Sequence, residues 1–358
     1  MTGRKPRTTG RWFRNPPPLG VGRKSTPCTG VRGGHTPLMS LVTADAVRAA
    51  AARIEGLVVR TPLTAGPVEN PPFLLKPETL QPTGAFKLRG ASNAVAMLDT
   101  EQRRAGVVTH SAGNHGLALA WAAQAQGLAC TVVVPQGAPR VKVDRIRARG
   151  ARVITVPYEE RLATAQELER TEHLTIIPPY DDPRIIAGQG TVGLEILEQA
   201  PEVTTIVVPV GGGGLASGIA TAARTMISRK VRVVGVEPEL AAEAAESLRV
   251  GELVTWPAER TQGTMADGVR AGLSELTFAH LRARLDRIVT VTEDEIAHAV
   301  AALAHQARLV TEPSGAVAAA ALLAGKVTTE SGDPGATVAV ISGGNVDPEV
   351  FVDLIAPG

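Results

Sequence analysis

Several stretches of this 358-residue chain place nucleophilic or anion-binding groups directly after apolar runs. In the first, Leu74-Leu75-Lys76 reads as a short strand that breaks at Pro77, Pro82 and Gly84, and helix-compatible residues resume at Ala85. Lys87 therefore falls in the first turn of a predicted helix. The positive end of the helix dipole disfavours a cation there. Such a lysine should be pushed toward the neutral amine that nucleophilic chemistry needs. In the second, Ser111-Ala112-Gly113-Asn114-His115-Gly116 follows a strand and opens a helix, where backbone N–H groups make an anion site. In the third, Gly211-Gly212-Gly213-Gly214-Leu215 joins the strand Thr205–Val210 to a helix. Four glycines carry a large entropic cost, but they let the backbone wrap an anion with a helix dipole behind it. No Lys-Ser or Lys-Thr follows, and the spacing fits Gly-x-Gly-x-x-Gly poorly, so a single phosphate is the economical ligand. Ser342-Gly343-Gly344-Asn345 ends the last strand, and Glu237-Pro238-Glu239-Leu240-Ala241-Ala242-Glu243 follows another. Read singly, each run has a plain alternative: a solvated lysine, a helix cap, a tight turn, a strand end, or the acidic face of a helix start.

The elements that must carry these runs alternate regularly. Thr43 can cap a helix Ala44–Glu55 that Gly56 ends. Strands are predicted at 106–109, 129–134, 152–156, 175–177, 204–210, 231–236, 287–291 and 336–341. Helices are predicted between them at 114–126, 139–149, 159–170, 215–227, 293–308 and 314–324. Continuously apolar strands such as Thr131-Val132-Val133-Val134 indicate parallel sheets covered on both faces. Composition agrees with a soluble globular enzyme, at 44% hydrophobic and 20% charged. A net charge of +2 is too small to argue for nucleic acid or a membrane surface. No apolar run approaches the roughly 20 residues that span a bilayer. Cys28 and Cys130 cannot build a disulfide framework, which suits a reducing, cytoplasmic setting. Residues 1–40 hold Pro16-Pro17-Pro18, Gly33-Gly34 and many basic residues without apolar periodicity, and read as a disordered extension with Met39 as the expected initiator.

The run Leu74–Ala91 resembles the active-site segment of the fold type II pyridoxal-phosphate enzymes, in particular the threonine/serine ammonia-lyase and serine racemase group. The resemblance extends from Thr43 to the C-terminus, with the motifs in family order. It implies an α/β fold of two open, mostly parallel sheets covered by helices, like tryptophan synthase β. It also implies a small domain over 106–183 inserted into a large domain formed by 41–105 and 184–358. Lys87 would form the Schiff base with pyridoxal 5'-phosphate, and Phe86 would pack near the cofactor ring. The loop bearing Ser111, Asn114 and His115 would hold the substrate carboxylate, with Asn114 also beside the cofactor's phenolic oxygen. Gly211, Gly212, Gly213, Gly214 and Leu215 would take the cofactor phosphate. Gly268, in Ala266-Asp267-Gly268-Val269, would lend backbone near the cofactor, and Glu312, in Thr311-Glu312-Pro313-Ser314, would enter the pocket. Gly188-Gln189-Gly190-Thr191 would lie near the return to the large domain. Ser342 would hydrogen-bond the pyridine nitrogen, and a hydroxyl cannot hold that nitrogen protonated as a carboxylate would. In racemase-like members, positions matching Glu237, Ala241 and Glu243 bind a cation, and all-oxygen ligation suits magnesium or calcium.

The implied reaction is β-elimination of water from a small β-hydroxy amino acid, with Lys87 as general base. Threonine gives 2-oxobutanoate, serine gives pyruvate, and ammonia is released. A racemase needs a second acid/base on the opposite substrate face. In serine racemase that group is a serine, and here the position is Ala112. The sequence thus departs from the racemase pattern and favours the lyase, with a racemase or a 3-hydroxyaspartate-type dehydratase as the alternative. Biosynthetic threonine ammonia-lyases carry a C-terminal regulatory module. The chain ends soon after its final strand, so no isoleucine inhibition is expected. A homodimer is the expected assembly.

Overall fold

Runs such as Cys130-Thr131-Val132-Val133-Val134 and Thr205-Ile206-Val207-Val208 are apolar or β-branched throughout, so neither face of their sheets can meet water. The computed structural model describes residues 40–69, 72–111, 113–138, 140–328 and 335–356. The basic, proline-rich start with its expected initiator Met39, and Ala112, lie outside the described residues.

Among the described residues, ten strands form two sheets. They are β1 (Thr64–Glu69), β2 (Pro72–Pro77), β3 (Val107–Thr109), β4 (Cys130–Pro135), β5 (Arg152–Val156), β6 (Thr175–Ile176), β7 (Val203–Pro209), β8 (Arg232–Pro238), β9 (Arg287–Val291) and β10 (Ala336–Ile341). The larger sheet runs β1-β2-β10-β7-β8-β9, and the smaller runs β5-β4-β3-β6. Among the described strand pairs, only β1–β2 is antiparallel. The fold is therefore α/β with two mostly parallel sheets. One buried layer on the larger sheet gathers Ile206, Val208 and Val338, and the other gathers Val207, Val234 and Ala339. The smaller sheet is likewise covered on both sides, around Val132 and around Val133.

Helix Pro183–Gln199 is the longest described, at 17 residues. The Gly188-Gln189-Gly190-Thr191 run lies inside it. Glycine weakens helices, yet each glycine here has a packing use. A Cβ on Gly188 would sit 2.6 Å from Gly90 Cα, and one on Gly218 would overlap Gly190. Helices Lys87–Ala96, Pro183–Gln199 and Gly214–Thr225 thus meet backbone to backbone. The helix that begins at Lys87 is seated through a contact that any side chain would prise open.

Candidate active site

In parallel sheets, ligands gather beyond the carboxyl ends of the strands. β2, β3, β7 and β10 all deliver candidate residues at those ends. Past β2, the chain turns through Gly84, whose φ of +74° favours glycine. It is then pinned to the loop after β10: Phe86 N donates to Ser342 O at 3.0 Å and Gly344 N donates to Gly84 O at 2.9 Å. Ala85 also bridges Gly343. Helix Lys87–Ala96 begins at once, with no side-chain cap and no acidic residue in its first turn.

Lys87 Nζ donates to Pro179 O at 2.7 Å and lies 5.0 Å from the Phe86 ring centroid. Burial pushes its amine down to about 8. The lowering expected from the helix dipole is therefore traced here to loss of water around the amine. His115, in the first turn of helix Asn114–Ala125, is buried, and its ring accordingly falls to about 3, with Lys87 adding to the effect. A neutral ring donates from Nε2 to Ile177 O at 2.9 Å. Its Nδ1 is buried without a partner. His115 is therefore a poor proton donor.

Asn114 Nδ2 donates to Glu312 Oε1 at 2.6 Å, and Asn345 Nδ2 donates to Asn114 Oδ1 at 2.7 Å. Burial raises the Glu312 carboxyl to about 7, only partly offset by Asn114. Gly268 N donates to Ser314 Oγ at 2.8 Å, and the buried Ser342 Oγ donates to Ser314 O at 3.4 Å. Added atoms on Gly343 would overlap Glu312 and approach Asn114 Nδ2 to 3.2 Å. The loops after β2, β3 and β10 and the turn before helix Pro313–Leu323 thus converge on one place. Ser111 stands at the loop's start, with its carbonyl packed where a Gly116 side chain would be.

The glycine loop closes a second edge. Gly213 has a φ of +84°, and helix Gly214–Thr225 starts after it, with Leu215 buried. Tyr180 lies across the loop: a Cβ on Gly212 would overlap its ring, and one on Gly214 would come within 2.9 Å of Tyr180 Cβ. A Cβ on Gly211 would come within 2.8 Å of Val269 Cα, next to Gly268. One short segment, Pro179-Tyr180, therefore touches both Lys87 and the loop. Nothing in the sequence marks this segment as part of the site. The contact to Lys87 is made by a backbone carbonyl, which leaves no trace in residue type.

The Glu237 carboxylate accepts from Ala244 N and Ala245 N at 3.1 and 2.7 Å, and Glu243 accepts from Trp256 N at 2.7 Å. Burial raises Glu237 to about 8. Ala241 is buried in the turn between them. Among the described residues, no group of three His, Cys, Asp or Glu side chains is placed to hold a metal ion. A cation here would depend on two carboxylates and backbone oxygen.

Residues 54–343 match the family described as pyridoxal-phosphate dependent enzymes. The chain belongs to that family. A serine racemase of Arabidopsis thaliana is 42% identical over 305 residues, covering 82% of this chain and 90% of that protein. A catabolic L-threonine dehydratase of Escherichia coli is 42% identical over 278 residues, covering 77% and 83%. The crystal structure of serine racemase from Dictyostelium discoideum superposes with a TM-score of 0.80 at 37% identity, covering 86% of this chain and 99% of that one. Pyridoxal phosphate is thus this enzyme's cofactor, and the cleft suits it. The segment Pro179-Tyr180 links a lysine amine with lowered proton affinity to an N–H-rich glycine loop at a helix start. The loop's lack of side chains is used by Tyr180. Gly212→Ala is expected to weaken cofactor retention roughly tenfold or more, the overpacking cost being about 1–3 kcal/mol. Release of cofactor on dilution, followed by absorbance, measures it.

Proposed function

We propose that this enzyme is an ammonia-lyase that eliminates water from a small β-hydroxy amino acid, threonine or serine, leaving a 2-oxo acid and ammonia. The observation that carries the reading is Lys87: a cleft amine brought near neutrality by burial, on a helix pinned to the loop after β10. When bound, the cofactor supplies the electron sink that makes the substrate Cα–H acidic. Lys87 Nζ takes that proton as general base. Ser111, Asn114 and His115, at the start of helix Asn114–Ala125, orient the substrate carboxylate toward backbone N–H groups. Gly211 to Leu215 hold the phosphate at the start of helix Gly214–Thr225. Ser342 meets the ring nitrogen with a neutral hydroxyl, and Phe86, Gly268 and Glu312 shape the remaining walls. Residues 106–183 act as a small domain against a large one formed by 41–105 and 184–358, and the enzyme works as a homodimer.

Racemisation is the second reading, favoured by serine racemase relatives as similar as the threonine dehydratase. Ala112 supports the lyase, because a methyl group cannot return a proton to the opposite face. His115, held neutral, is no substitute. The expected result from L-serine is pyruvate, with D-serine formed at under about a tenth of that rate. Chiral chromatography decides it, and comparable rates would give the enzyme to the racemases. A panel of β-hydroxy amino acids scored by 2-oxo acid release then ranks substrates.

Glu237, Ala241 and Glu243 are the proposed cation ligands. Magnesium at saturating concentration is expected to raise Tm by roughly 5 °C, and Glu237→Gln to abolish the rise. A Tm indifferent to magnesium and calcium in the unsubstituted enzyme would remove the cation from the scheme.

A further inference from the structure

Behind Lys87, on the far side of its helix, lies a buried set of charges that the proposed reaction does not use. Lys76 on β2, Glu78 just after it, Arg89 on the Lys87 helix and Glu195 on helix Pro183–Gln199 are all buried, the first three at 0% exposure. Two cations face two anions. Arg89 Nε and Nη2 fork the Glu78 carboxylate at 2.7 and 2.8 Å, while Nη1 and Nη2 fork Glu195 at 2.6 and 2.9 Å. The remaining reach of the guanidinium goes to Thr191 Oγ1 at 3.1 Å and Val59 O at 3.2 Å. Lys76 Nζ donates to Glu195 at 2.6 Å, Thr61 O at 2.6 Å and Gln199 at 2.9 Å.

Residues two apart on an α-helix point about 200° apart. With Lys87 toward the cleft, Arg89 points away from it, into the body of the protein. The helix has no cap of its own. From the cleft side it is held by the Phe86 N–H on Ser342 O. From behind, it is held by two carboxylates on two separate elements, through the one side chain whose planar fork grips both. We propose that Arg89 is a positioning residue: its double fork sets the rotation and height of the helix and so places Lys87 Nζ against the substrate carbon. The proposal rests on Lys87 being the cofactor lysine and base. A misplacement of about 1 Å at such a group costs on the order of 10²-fold in rate.

Lys76 provides the control, since it shares Glu195 but makes no bond to the Lys87 helix. Arg89→Lys keeps the charge and loses the fork. In the holoenzyme, Arg89→Lys is expected to lower kcat about 10–100-fold with KM within about threefold. It should also shift the pH midpoint of the visible absorbance of lysine-bound cofactor. Lys76→Gln should lower Tm while leaving that midpoint in place and kcat within about threefold. Arg89→Lys with wild-type kcat and midpoint, or Lys76→Gln reproducing both changes, overturns the proposal. If Arg89→Lys does not accumulate folded, Glu195→Gln keeps the shape of one anchor, removes its charge, and must produce the same fall and shift. An unchanged Glu195→Gln enzyme counts against the proposal. Borohydride reduction of the wild-type holoenzyme with peptide mass mapping separates the two premises. Cofactor fixed to another residue defeats the reading of Lys87 itself, independently of what Arg89 does.

Discussion

Lys87→Ala is expected to lower kcat by about 10⁴-fold or more, because on the proposed mechanism it removes both the cofactor's covalent anchor and the general base. The fold should survive. Among the described residues, the Lys87 side chain makes one hydrogen bond, to Pro179 O, and no ion pair. The variant is expected to lack the visible absorbance of lysine-bound cofactor that borohydride abolishes in the wild type, while its far-UV circular dichroism stays the same. Retention of more than about a hundredth of wild-type turnover would show that another group moves the proton. Lys87→Arg should fare no better, since a guanidinium does not give up its proton near neutrality.

Glu78→Ala is expected to cost about 3–5 kcal/mol of stability, since it leaves a buried guanidinium half paired. In a chain of this size that is a fall in Tm of roughly 5–15 °C. Glu78 also accepts from Thr61 Oγ1 at 2.7 Å and Gln81 Nε2 at 3.0 Å, so its loss orphans further buried donors. Burial by itself would raise the Glu78 carboxyl, but Arg89 outweighs it and holds the group below the usual carboxylate range. A depressed carboxylate stabilises the fold above its ordinary value, and the contribution is lost as pH falls through the folded value. Glu78→Gln should therefore flatten the acid limb of the Tm-against-pH curve. An acid limb as steep as wild type would place acid lability elsewhere.

What could be read from the sequence was what short runs encode. The break after β2, the turn before Asn114 and the glycine run each carry their chemistry within ten residues or so, and strand–helix alternation exposes the parallel sheets. The buried charges could not be read that way. Lys76 sits in an apolar strand as if it were a misfit, and its partner Glu195 lies 119 residues on. By type alone, charged residues are assigned to the surface. Helix Pro183–Gln199 was hidden by its glycines, which lower helix propensity at the very points where they permit contact. The direction of the shift at Lys87 can be read from its place at a helix start, but the burial that lowers its proton affinity cannot, because burial depends on what packs over a residue.

Strand β10 is near the end of the chain, yet it lies between β2 and β7. Leu74 pairs with Val338, and Val338 also pairs with Ile206. During synthesis the larger sheet therefore exists as two unjoined pieces, each presenting an apolar inner edge, until the last strand emerges. At ribosomal rates of about 5–20 residues per second, the β7 edge stays open for roughly 6–25 s and the β2 edge for roughly 13–52 s, and open apolar edges invite pairing with other chains. Ser342 follows β10 directly and its carbonyl pins Phe86, so the candidate cleft is incomplete over the same interval. The step that closes the cleft is also the step that removes the edges, which makes aggregation before β10 docks the chief hazard in producing this enzyme.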